Sequence, residues 1–98
     1  MSVYGSSQEE VLLEEEIVTG TGEPADLIVF NDDHNTFDWV MQSFVEILGH
    51  STEQSEQLAL MIHLKGRATV KSAAFNELRP KKEALCDRGL SAVIEGKG

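Results

Sequence analysis

Apolar positions follow two different rhythms along this chain, and the changes of rhythm divide it into elements. Leu27-Ile28-Val29-Phe30 is a β-branched and aromatic run that stops abruptly at Asn31-Asp32-Asp33-His34-Asn35, as a buried strand does where it ends in a polar turn. Beyond it Phe37, Val40, Met41, Phe44, Val45 and Leu48 share one stripe at a 3.6-residue period. That stripe predicts a helix of about three turns, with Asn35 as N-cap, Asp38 in the first turn and Gly49 past the end. Ser51 followed by Gln54 has the capping-box spacing, and Leu58, Met61, Ile62 and Lys65 carry a second helix to Gly66. Arg67 to Phe75 alternates and predicts a strand. A third helix is expected over about residues 77–88, with Pro80 at its beginning and Gly89 beyond its end. Leu90-Ser91-Ala92-Val93-Ile94 supplies a last strand, and the charged residues 95–98 read as a frayed tail.

The order strand, helix, helix, strand, helix, strand predicts an α+β fold: a small sandwich of a three-stranded antiparallel sheet covered on one face by three helices. Residues 1–25 differ in kind. They hold Ser, Gly, Thr and six glutamates, broken only by Val11-Leu12-Leu13 and Ile17-Val18, and read as a flexible acidic arm before a domain spanning 26–98. A chain of 98 residues has room for one domain, and only if most of its apolar residues enter a single core.

Charge narrows the class of partner. The net charge of −9 disfavours nucleic acid and anionic membranes, both of which call for basic surface, and favours a cationic ligand. The sign is unevenly spread: residues 1–64 carry thirteen acidic and no basic residues, so all eight Lys and Arg fall in residues 65–98. No apolar stretch approaches the roughly 20 residues of a membrane-spanning helix. With no basic residue before Lys65 the start resembles neither a secretory nor a transit signal, so a cytoplasmic location is expected. The single cysteine, Cys86, falls in predicted helix and reads as a small apolar filler without a catalytic role.

The candidate chemistry lies in Asn31-Asp32-Asp33 together with His63 near the end of the second helix. An ammonium group offers only donors, so a site for one needs converging acceptors: an amide oxygen, a carboxylate and a neutral imidazole nitrogen. Phe37, Val40, Ala59 and Ile62 could wall an apolar pocket beside them. Ala59, Ile62 and His63, at i, i+3 and i+4, share one helix face. Each residue also has a plainer explanation. Asn-Asp-Asp after a strand is often only a turn that caps the next helix, and a lone helical histidine is usually packed or exposed.

The run Leu27 to Asp33, the helix after it, and Ala59-Leu60-Met61-Ile62-His63-Leu64-Lys65-Gly66-Arg67-Ala68 resemble the ClpS family of adaptors, which bind N-degrons and pass them to a Clp protease ATPase. The resemblance covers roughly residues 26–95, and its two motifs, found together at this separation, are more specific than either alone. It implies that Asn31 and His63 hydrogen-bond the α-amino group of an N-degron substrate. Asp32 would add a carboxylate, and Asp33 would cap the turn or orient its neighbours. It also implies that Phe37, Val40, Ala59, Ile62 and Leu90 wall the side-chain pocket, and that Lys81 lies where family members touch the N-terminal domain of the Clp AAA+ ATPase. No cofactor is implied. The family usually has Thr-Pro-Met where this chain has Asn35-Thr36-Phe37, and often a methionine where it has Ala59, so gate and wall differ in size. One rival is a metal-dependent hydrolase using Asp32, Asp33, His34 and His63, although no spacing here matches an established metal or nucleophile motif. Another is a plain interaction domain with this fold and no pocket, like the C-terminal domain of the ribosomal stalk protein.

Overall fold

A computed structural model describes residues 22–97. The expected acidic arm lies, up to residue 21, outside the described residues. The elements run β1 (Pro24–Phe30), α1 (Phe37–Leu48), α2 (Thr52–Lys65), β2 (Arg67–Ala74), α3 (Phe75–Asp87) and β3 (Ser91–Gly96). The three strands form one antiparallel sheet in the order β2-β1-β3, so the fold is the α+β sandwich that the sequence predicts.

Alternation along β1 decides which face is covered. Ala25, Leu27 and Val29 join Phe44 and Leu48 of α1, Ile62 of α2, and Leu78 and Leu85 of α3 in one core, all of them buried. The intervening residues face away from the helices: Asp26 bonds Ser72 and pairs with Lys97, and the Arg67 guanidinium lies 5.2 Å over the Phe30 ring. β2 contains a bulge, since Leu27 pairs with Lys71 whereas Ile28 pairs with Thr69, which leaves Val70 extra. Its carbonyl accepts from His50 Nε2–H at 2.7 Å, so the α1–α2 connection braces the irregularity.

Helix ends follow the sequence signals where a single residue carries the signal. Ser51 Oγ accepts the Gln54 N–H at 3.0 Å, and Gly49 and Gly66 close α1 and α2 with φ of 73° and 91°, a region that glycine enters without a Cβ clash. Other expectations are corrected. The N-cap of α1 is Thr36, whose Oγ1 accepts the Trp39 N–H at 3.1 Å, because the Asn35 side chain is engaged elsewhere. α3 starts at Phe75 rather than about 77; it has no side-chain cap, and the Phe75 N–H instead donates to the Glu23 carbonyl at 2.8 Å. Pro80 therefore sits inside the helix, on its solvent side. Nor do residues 95–97 fray: Glu95 and Gly96 pair with Asp26 and Ala25, and the Lys97 N–H donates to the Pro24 carbonyl at 3.3 Å. The strand that these residues pair with begins at Pro24, two residues inside the expected arm. Cys86 is exposed rather than a core filler, its Sγ 3.5 Å from the Ala92 carbonyl.

Candidate functional site

The sheet register brings the two sequence motifs together. Phe30 pairs with Arg67, so the residue after β1 and the residue before β2 must be neighbours, and the Asn31 N–H donates to the Gly66 carbonyl at 2.9 Å. Gly66 is also the C-cap of α2, with its own N–H on the Ile62 carbonyl at 2.8 Å. One glycine thus ties the polar turn to the end of the helix that carries His63.

Asp32 is the hub of the turn. Its carboxylate accepts the His34 N–H at 2.9 Å and the Asn35 N–H at 3.1 Å, which is an Asx turn. It also accepts the Asn35 side-chain amide at 3.0 Å on both oxygens, and the Ser91 hydroxyl at 3.3 Å. Desolvation in the loop opposes ionisation, but the hydrogen bonds from the His34 N–H, Asn35 and Ser91 together outweigh it and hold the carboxyl below its ordinary value. The carboxylate is an anion at neutral pH.

Beside this turn is a half-open hollow of about 20 Å³, with Val29, Val40, Ile62 and Leu90 as apolar walls and Asn31, Asp32 and Asn35 as polar rim. That is room for about one water-sized group, so a larger apolar side chain enters only if a wall moves. α1 and the β3 corner are braced around the hollow. Trp39 Nε1–H donates to the Arg88 carbonyl at 3.0 Å, and the Arg88 guanidinium lies 5.2 Å over the Trp39 ring and 2.7 Å from Glu46. The Gln42 amide and then Arg88 hold the Glu46 carboxyl below its ordinary range.

The sequence-derived candidates divide into two groups. Asn31, Asp32, Val40, Ile62 and Leu90 line the hollow. Asp33, Phe37, Ala59 and His63 do not: Asp33 is exposed, Ala59 is buried in the α2 face, and Phe37 stands 38% exposed at the start of α1. His63 is exposed in the last turn of α2, and its ring has no hydrogen-bond partner among the described residues. Lys81 is half-buried, with its Nζ donating to the Ile47 carbonyl at 3.4 Å. It supplies a positive charge to the end of α1, whose own last turn has no basic residue. Sequence reasoning missed Asn35 as part of the rim and Ser91 as a donor to Asp32. An Asx-turn pattern could have suggested Asn35, whereas Ser91 is 59 residues from Asp32 and leaves no local trace. Among the described residues no group of three or more His, Cys, Asp and Glu side chains is placed to hold a metal ion, and Asp32, Asp33, His34 and His63 form no such group.

Comparison with known proteins adds the following. Residues 21–93 match the family model described as ATP-dependent Clp protease adaptor protein ClpS. The ATP-dependent Clp protease adapter protein ClpS of Streptomyces coelicolor is 32% identical over 68 residues, 69% of this chain and 71% of the relative. Its namesake from Streptomyces avermitilis is 34% identical over 68 residues, 69% of this chain and 65% of the relative. The structure of Agrobacterium tumefaciens ClpS2 bound to L-phenylalaninamide covers 78% of this chain and 99% of its own, with a TM-score of 0.71 at 18% identity, a likeness of fold.

Proposed function

The chain belongs to the ClpS family of Clp protease adaptors, and from that premise we propose that it grips the free α-amino group and bulky apolar first side chain of N-degron proteins. It then delivers them to the N-terminal domain of a Clp AAA+ ATPase in the cytoplasm, as an adaptor rather than an enzyme. The observation that carries the reading is the Asn31 to Gly66 hydrogen bond at the mouth of an apolar hollow, with an anionic Asp32 on its rim. Acceptors beside an apolar wall suit a ligand that joins an ammonium group to a hydrocarbon. L-phenylalaninamide, which ClpS2 binds, has both parts.

In this reading Asn31 and His63 accept hydrogen bonds from the ammonium group and Asp32 supplies the field. Val40, Ile62 and Leu90 receive the side chain after the hollow widens, with Phe37 and Ala59 as its outer and inner neighbours. Asp33 belongs to the turn, and Lys81 to the surface that meets the ATPase. Burying one Leu or Phe side chain contributes about 1.5–3 kcal/mol, and each hydrogen bond to a charged group about 1.5–3 kcal/mol. After ordering costs, three such bonds and one side chain reach about −8 kcal/mol, a micromolar complex. Fluorescence anisotropy tests this with short labelled peptides that begin with Leu, Phe, Tyr, Trp or Ala, each free and acetylated at the amino end. The expected result is micromolar binding of free peptides with bulky apolar first residues and near-complete loss on acetylation, which removes the charge and leaves the acceptors that the peptide covers unmatched. Equal binding of acetylated and free peptides overturns the proposal.

A further inference from the structure

The polar rim and the Leu90 wall come from opposite ends of the folded sequence, and one side chain joins them. The Asn35 amide has two hydrogens: one is shared between the two Asp32 oxygens at 3.0 Å, and the other reaches the Gly89 carbonyl at 2.9 Å. The corner that it holds is well defined. The Arg88 and Leu90 N–H groups both donate to the Leu85 carbonyl at 3.1 Å, and the Gly89 N–H donates to Cys86 at 2.9 Å. Gly89 has a φ of 90°, and a Cβ there would face Asn35 Oδ1 at 3.8 Å. A second clip, Trp39 Nε1–H to the Arg88 carbonyl, holds the adjacent peptide to α1. Leu90, the residue after the clipped glycine, is buried against the hollow.

We propose that Asn35 is the positioning residue of the site: by fastening Asp32 and the Gly89 carbonyl together it sets the separation between the Asn31–Asp32 rim and the Leu90 wall, and so the size of first side chain accepted. The inference rests on the N-degron reading of the hollow. Asn35 itself stands on the rim of the hollow, but its two amide hydrogens are spent on Asp32 and Gly89, so it acts through Asp32 and Leu90. A purely structural asparagine would, on removal, weaken all ligands in proportion. A positioning one changes their ranking.

The test uses the full chain with Asn35→Ala, Asn35→Asp and Asn35→Gln, and two peptides identical but for Leu or Ala at the first position. Asn35→Ala and Asn35→Asp are expected to reduce the Leu-to-Ala affinity ratio about fivefold, the scale of one or two lost hydrogen bonds, and Asn35→Gln, which keeps the amide, to restore part of it. Trp39 is the only tryptophan of the chain and adjoins the corner, so its emission should shift with the ratio. Thermal unfolding confirms that each variant is folded. If Asn35→Ala does not fold, Asn35→Asp and Asn35→Gln decide alone. An unchanged ratio in a folded Ala or Asp variant of a chain that binds the Leu peptide overturns the role of Asn35 and leaves the N-degron reading standing. Failure of the unaltered chain to bind either peptide overturns both.

Discussion

The loop after β1 and the last turn of α2 touch through one backbone hydrogen bond, yet their side chains are in opposite conditions. Asp32 in the loop is held by His34, Asn35 and Ser91, whereas the His63 ring on the helix has no partner among the described residues. The contrast separates two kinds of polar residue at a site. One kind holds the frame, and its removal shows in stability. The other has unused hydrogen-bonding capacity, and its removal shows in binding.

The sharpest way to break this contrast is Asp32→Ala. It leaves the amide of Asn35, two turn N–H groups and the Ser91 hydroxyl without their acceptor, in a loop open enough for water to replace part of the loss. The expected cost is about 2 kcal/mol, read as a melting temperature lower by roughly 10 °C. A melting temperature that does not move would show that the loop is fastened by something other than Asp32. His63→Ala is the complementary case. It should weaken a Leu-first peptide about tenfold, the worth of one hydrogen bond to a charged group, while the melting temperature stays put. A stability loss without a binding loss would place His63 with the frame instead. Smaller still is the response to acid. The folded-state pKa of Asp32 is lowered, so its stabilising contribution is complete above the ordinary carboxyl range near ~4 and fades as pH falls through the folded value. Acid titration of the melting temperature should therefore fall less steeply in Asp32→Ala than in the unaltered chain, and parallel curves would contradict the assignment.

The same contrast explains what was legible in the sequence. Element ends marked by one residue acting locally were readable: Ser51 caps α2, and Gly49 and Gly66 close two helices. Ends that depend on distant partners were not. Asn35 looked like an N-cap because asparagine prefers that position, but the Gly89 carbonyl, 54 residues on, claims its amide and leaves the cap to Thr36. α3 gains two residues because Glu23 offers a carbonyl to Phe75, and β3 runs to Gly96 because Ala25 is there to pair with it. At the hollow, Asn31 and Asp32 could be singled out from residue types and Val40 and Ile62 from helical spacing, whereas His63, singled out with them, does not line it. What spacing could not reveal is that the carboxylate is already engaged by Asn35 and Ser91, because Ser91 arrives from the last strand.

Strand order also has a consequence for synthesis. The central strand, β1, is the first of the three to be made, and its two neighbours follow at Arg67–Ala74 and Ser91–Gly96. A chain growing on the ribosome therefore displays Leu27-Ile28-Val29-Phe30 with both edges bare until later segments emerge. Leu90 walls the hollow and Ser91 donates to Asp32 on its rim, so the hollow cannot exist on a nascent fragment that lacks them. An unfinished copy lacks the hollow altogether, and completion of the last strand is what forms it.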